Sequence, residues 1–232
     1  MTRSVPFEPD EWYHCYNRGI DMRKTYMDAK DYRRFQMLLY ASNSSSPFPL
    51  RRFRERDGGL DPHDLYTEER GEPLVDIGAY ALLPNQYHLL LRERVAGGIA
   101  TFMHRLNTRY VMYFNIRYER VGPLFGGRFR AKHVRKSYLS KVVNFIHGNS
   151  AELFEQNFKS GMVADTHLLK KSVRTYEFSS LCDYEECDRP ERAILSIDSL
   201  KTFLGASPTL DGALRDFVTV YARTNNPLWS YG

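Results

Sequence analysis

Cysteine is scarce in this chain of 232 residues: Cys15, Cys182 and Cys187 are odd in number, and the one close pair has four residues between its members and no second pair to complete a tetrahedral zinc site. Neither a disulfide framework nor a zinc site is expected. No run of 18 apolar residues exists, which removes a membrane-spanning helix, and Met1–Asp10 lacks the apolar stretch of a secretory leader. The expectation is a soluble, intracellular (cytoplasmic, nucleoid-associated) protein without a membrane partner. Tryptophan is also rare, at 2 residues, but 16 Tyr and 14 Phe raise the aromatic share to 14%, enough for a real core and against global disorder. The length suits one main domain with a smaller addition.

A large excess of charge is absent too, the net being +5, so distribution matters more than the total. Residues 101–141 hold ten Lys/Arg against one acid, Glu119, while the rest of the chain holds 23 basic and 27 acidic residues. The basic block is interleaved with Tyr110, Tyr113, Phe114, Tyr118, Phe125 and Phe129. Guanidinium groups pair bidentately with phosphate and aromatic faces stack on unpaired bases, so this composition suits a nucleic acid. A solvated surface over an aromatic core is the plainer alternative.

Periodicity supplies the element order. Glu11–Asn17 alternates as a strand ending at Arg18-Gly19, and Asp28 caps a helix that runs through Tyr32, Phe35 and Leu38 to Tyr40. Ser42–Pro73, with four Pro and three Gly, reads as a long loop or partly ordered insertion. Leu74–Leu83 and Tyr87–Arg92 read as antiparallel strands around Pro84-Asn85-Gln86. Ile99, Phe102, Met103, Leu106, Tyr110, Tyr113 and Phe114 step by three and four along a helix that also carries Arg105 and Arg109. Arg128–Val134 reads as a strand with Arg128, Arg130 and Lys132 on one side and Phe129, Ala131 and His133 on the other. Ser137 is the expected cap of a helix reaching Gly148-Asn149. Asp165–Ser180 reads as irregular with a short helix, and Ile197–Leu204 and Leu210–Ala222 as two helices.

Five segments in this order carry a resemblance: YHCYNRGIDMRKTYMDAKDYRRF (13–35), AYALLPNQYHLLL (79–91), RLNTRYVMYFNIRYERVGPLFGGRFRAKHV (105–134), YLSKVVNFIHGNSAELF (138–154) and YEFSS (176–180). Together they resemble the tyrosine transposases of the HUH nuclease superfamily, in particular the branch associated with repetitive extragenic palindromes. The resemblance implies an α+β fold, a ferredoxin-like antiparallel sheet backed by helices. It places a transposase-like domain over 1–180, with the polar insertion at about 42–73, and a helical extension over 181–232. It also implies Mg²⁺ or Mn²⁺, single-stranded or hairpin DNA as partner, and a monomer or homodimer.

In such proteins a divalent cation, held by a His-hydrophobe-His pair and a polar helix residue, polarises the scissile phosphate, and a helix tyrosine attacks it. Here the pattern breaks twice. Gln86 takes the first ligand place, leaving His88 and, on the helix, Asn149; Phe145 takes the place of the nucleophile. Tyr138, two turns before Phe145, is the candidate substitute, about 10 Å away along the helix axis, with packing under the sheet as its alternative role. Tyr87, between the ligand places, is expected to point to the opposite face and be buried. His14, His133 and His147 are expected to be core or surface histidines, with His147, beside Asn149, the first to check. Gly126-Gly127 either admits a polynucleotide backbone or makes a turn. Arg105, Arg109, Arg117, Arg128, Arg130 and Lys132 are the expected DNA-binding residues. The sequence thus predicts a transposase-like binder of single-stranded or hairpin DNA whose cleavage is lost or reduced. An active transposase with a displaced nucleophile and an RNA-binding module are the alternatives.

Overall fold

A computed structural model describes residues 6–53, 62–160, 162–185 and 187–224. Within 42–73, residues 54–61 lie outside the described residues, as do 1–5 and 225–232 at the two ends of the predicted domains. Four strands form one antiparallel sheet in the order β2-β3-β1-β4, where β1 is Trp12–Arg18, β2 Val75–Leu83, β3 Gln86–Glu93 and β4 Arg130–His133. With helix α1 (Ala29–Ser42) between β1 and β2, and α2 (Gly98–Arg117) between β3 and β4, this is the α+β ferredoxin-like arrangement.

Both faces of the sheet are covered. On one, α1 and α2 pack over Tyr13, Cys15, Ile77, Tyr80, Leu82, Tyr87, Leu89 and Leu91. On the other, α3 (Leu139–Gly148), α6 (Ile197–Leu204) and α7 (Leu210–Thr224) join Trp12, Ala79, Ala81 and Leu90 in a second core. Double burial explains why β2 and β3 read as near-continuous apolar runs rather than alternating ones. Ile197, Leu200, Leu210 and Phe217 therefore share a core with the sheet.

Local chemistry sets the ends of the elements. The Asp28 carboxylate accepts the amides of Lys30 and Asp31 at the start of α1. Pro84-Asn85 makes the β2–β3 turn, and its carbonyls accept Thr25 N–H and Gly19 N–H, which pins the hairpin tip to the segment leaving β1. A bulge lies between Ile77 and Ala79, where a Cβ on Gly78 would come within 2.7 Å of the Trp12 ring.

Three expectations need correction. The polar insertion is not one of them: its described part is partly ordered, with 3-10 segments at Leu50–Arg52 and Pro62–Thr67 that bring Phe53, Leu65 and Tyr66 into the first core beside Phe48. These aromatic and apolar residues lack periodicity because they seal the core edge singly. Ser137 caps nothing; it lies in a 3-10 turn, Lys136–Tyr138, that precedes α3. The basic strand is shorter than Arg128–Val134 because it pairs only over Arg130–His133. Finally, Cys182 and Cys187 form a disulfide. The short helix α5 (Leu181–Tyr184) turns back so that Cys187 N–H reaches the Cys182 carbonyl, bringing the two Cα atoms to 5.3 Å. That reversal has no periodic signature. The segment 165–180 holds a regular helix α4 (Thr166–Arg174), capped by Asp165.

Candidate nucleic-acid interface

Alternation on three adjacent strands collects one set of side chains on the α3 side of the sheet. In the register of β1 with β3 and β4, Tyr16 stands opposite both His88 and Arg130, His14 opposite Lys132, and Arg18 opposite Gln86. His14 Nε2 and His88 Nδ1 are 3.0 Å apart, so one ring donates its N–H to the lone pair of the other. Both are buried. Burial and the nearby Lys132 ammonium lower the His14 pKa to about 3. Burial, His14 and the Arg18 guanidinium hold His88 well below its ordinary value. The pair is neutral at physiological pH.

Phe145, on α3, covers these histidines. Its ring centroid lies 6.0 Å from His14 and 5.9 Å from His88, it stacks on Phe217 of α7 at 5.4 Å, and it is 0% exposed. A hydrocarbon edge therefore stands where the resemblance expects a phenol. Tyr16 flanks the pair on its open side, 5.0 Å from His14 and stacked at 5.8 Å on His88. Its hydroxyl bonds the Arg130 side chain; burial raises its pKa, while Arg130 and Arg18 act in the opposite direction.

Each expected cation ligand has one polar atom engaged within the fold. Gln86 Oε1 accepts from Arg18 Nε at 3.3 Å and Nη2 at 3.2 Å. The buried Asn149 donates from Nδ2 to the Phe145 carbonyl at 2.7 Å, and His88 Nδ1 is held by His14. Among the described residues no group of three or more His, Cys, Asp or Glu is arranged to hold a metal ion. At the Gln86 oxygen a guanidinium already sits where a divalent cation would have to bind, which opposes cation binding at that place.

Tyr138 is 53% exposed at the start of α3 with the Lys141 ammonium 5.4 Å from its ring centre, so it does not pack under the sheet. Tyr87 points the other way, buried, with its hydroxyl on Asn107 Oδ1 at 2.9 Å. His147 turns away from Asn149's surroundings to Ser180 Oγ at 2.8 Å, and burial lowers its pKa to about 3. His133 is exposed and pairs with Glu11 at 2.8 Å.

The six expected DNA-binding residues divide into two groups on opposite sides of the sheet. Arg128 and Arg130 are exposed and Lys132 is half-buried, along edge strand β4 and its approach, continued by exposed Arg135, Lys136 and Lys141. Arg105, Arg109 and Arg117 are not brought to this surface. They lie on α2, against the other face, and are committed inside the fold. Arg105 donates to the Ser44 carbonyl, Arg109 to the Ala41 carbonyl and Ser42 Oγ, and Arg117 pairs with Asp28 and Asp31. Charge counted along the chain merges these groups because α2 and β4 are neighbours in sequence. Gly127, with φ +128°, is in a conformation open to glycine, and its carbonyl accepts from Asn17 Nδ2.

No family model matches this chain, and no curated protein matches it. Among solved structures, a REP-associated tyrosine transposase bound to a REP hairpin is similar at 14% identity, over 85% of this chain and 89% of that chain, with a TM-score of 0.47. The chain resembles that transposase.

Two residues at the centre of this surface, Tyr16 and Arg18, escape the sequence reading. His14 is a buried, hydrogen-bonded histidine, as expected, but the sequence does not name its partner. The usable signal was the alternation His14, Tyr16, Arg18 on a strand whose other side, Tyr13, Cys15, is apolar. Only strand register tells that this polar side meets His88.

Proposed function

We propose that the chain is a transposase-like DNA-binding protein that takes single-stranded or hairpin DNA along its β4 edge and no longer cuts it. The observation that carries this reading is Phe145. It has no oxygen to form a phosphodiester link, and its ring is sealed between the neutral His14–His88 pair and Phe217. Exposed Arg128, Arg130, Arg135, Lys136 and Lys141 support the DNA part, because cations on an edge strand follow a phosphate backbone without having to enter a groove. A displaced nucleophile at Tyr138 is disfavoured by its exposed place in the 3-10 turn just before α3, about 10 Å along the axis from Phe145.

The test is an electrophoretic shift with a labelled palindrome-containing hairpin and a scrambled control, repeated with Mg²⁺ or Mn²⁺ and resolved under denaturing conditions. A shift with no protease-sensitive covalent adduct is expected. An adduct overturns the loss of cleavage, and no shift at low salt overturns the DNA reading.

A further inference from the structure

The polar side of β1 gathers positive charge. Arg18 acts on His88 and Tyr16, Lys132 on His14, and Arg130 on Tyr16 and Lys132; among the described residues the influences that shift these four are burial and neighbouring cations or histidine. The acids on neighbouring elements are engaged elsewhere: Glu11 with His133, Asp76 with Arg92 and Arg94, and Asp216 with Asn144. Arg18 and Arg130 are exposed, and Tyr16 is half-buried between them. Strand geometry puts Arg130 directly opposite Tyr16, with Arg18 two residues further along the same face, about 7 Å away. Both side chains are long enough to close on one group over the Tyr16 hydroxyl.

We infer that Arg18, Arg130 and the Tyr16 hydroxyl form a metal-independent clamp for one phosphodiester of the bound strand, with guanidinium charge in the place where the resemblance expects a divalent cation. The clamp rests on the DNA-binding reading and specifies its chemistry. Gln86 is its positioning residue: as an amide it accepts two N–H groups of Arg18 and fixes the fork without neutralising it, which a carboxylate would do. Met22 Sδ, 3.3 Å from Arg18 Nη1, braces the third side. The neutral histidine pair below adds no competing charge. Guanidinium forks match phosphate oxygens bidentately, and the phenol supplies one further donor.

The experiment measures binding of fluorescent hairpin DNA and, separately, of inorganic pyrophosphate, by wild type and by R18A/R130A, Y16F and Q86A, each in EDTA and in Mg²⁺. Circular dichroism checks that the variants are folded. Wild type is expected to bind both probes in EDTA, with no gain on adding Mg²⁺. R18A/R130A is expected to lose at least tenfold in affinity for both, since each charged hydrogen bond contributes about a factor of ten. Its plot of log affinity against log salt is expected to be shallower by about one unit. Y16F and Q86A are expected to lose a few-fold with the wild-type slope, which separates positioning from charge. Hairpin binding that R18A/R130A leaves intact, or that EDTA abolishes, overturns the clamp while sparing the DNA reading. Pyrophosphate binding without hairpin binding leaves the clamp standing and overturns the DNA reading; no binding of either overturns both.

Discussion

Three buried histidines, His14, His88 and His147, are neutral in the fold because burial disfavours their charged forms. Their folded pKa values lie below the ordinary 6.5, at about 3 for His14 and His147. The unfolded chain takes up a proton on each as pH falls through 6.5; folded His14 and His147 do not until about 3, and folded His88 stays neutral well below its ordinary value. The contribution of each to stability is therefore complete above pH 6.5 and is lost as pH falls below it, for His14 and His147 by about 1.4 kcal/mol per pH unit down to about 3. Urea unfolding at pH 7.5, 6 and 5 is expected to show this decline, and His147→Gln to flatten it by about one proton's worth. Arg117 presents a second case. It joins Asp28, which caps α1, to the fully buried Asp31, which also accepts from the Tyr113 and Tyr118 hydroxyls. Arg117→Ala leaves Asp31 short of its cation and is expected to cost about 2 kcal/mol in denaturant unfolding, moderated by its remaining donors and by the partial exposure of Arg117. Its hairpin affinity is expected to equal that of wild type, which separates a structural arginine from a DNA-binding one.

At the scale of elements, the position of α3 depends on how closely α7 approaches it. A Cβ on Gly148 would lie 2.7 Å from Phe217 Cβ and 2.8 Å from the Ala213 carbonyl. Gly148→Ala is expected to push α7 outward and lower stability by about 1–3 kcal/mol, measured by thermal unfolding. Because Phe217 backs Phe145, the same variant is expected to loosen the cover over His14 and His88, read as a change in their ring-proton NMR shifts. On the opposite face, Asn43 ties the end of α1 to β2. Its side-chain oxygen accepts from the Leu74 and Val75 amides, and its nitrogen donates to the Val75 carbonyl. The polar tract after α1 thus begins with a buried, hydrogen-bonded amide rather than a free loop.

On the whole-molecule scale, the sheet separates two roles. The α1/α2 side uses its arginines to hold the fold together, and the α3 side with edge strand β4 keeps its cations at the surface. No helix among the described residues is long and apolar enough to cross a membrane. Affinity for single-stranded DNA is expected to fall linearly in log–log form with salt, by about 0.7 per phosphate neutralised. Titration with matched DNA and RNA strands checks this, and a higher affinity for RNA at every salt concentration would favour the RNA-binding alternative.

Element types were legible from residue order because they depend on local pattern. The Asp28 cap, the apolar stride of α2 and the Pro84-Asn85 turn each record a near-neighbour requirement, and the element order they give is compatible with the ferredoxin-like fold that the resemblance implies. That Phe145 carries no hydroxyl is likewise a fact of the sequence. Other features depend on which distant segments meet. The His14–His88 bond spans 74 positions, the guanidinium at Gln86 spans 68, and Arg105 reaches a carbonyl 61 residues away. Strand register alone placed a neutral histidine pair and two exposed guanidinium groups around Tyr16, and helix packing alone turned three arginines of the basic block inward. Short-range order carries no information on such pairings, because they are decided by burial and charge satisfaction across the assembled sheet.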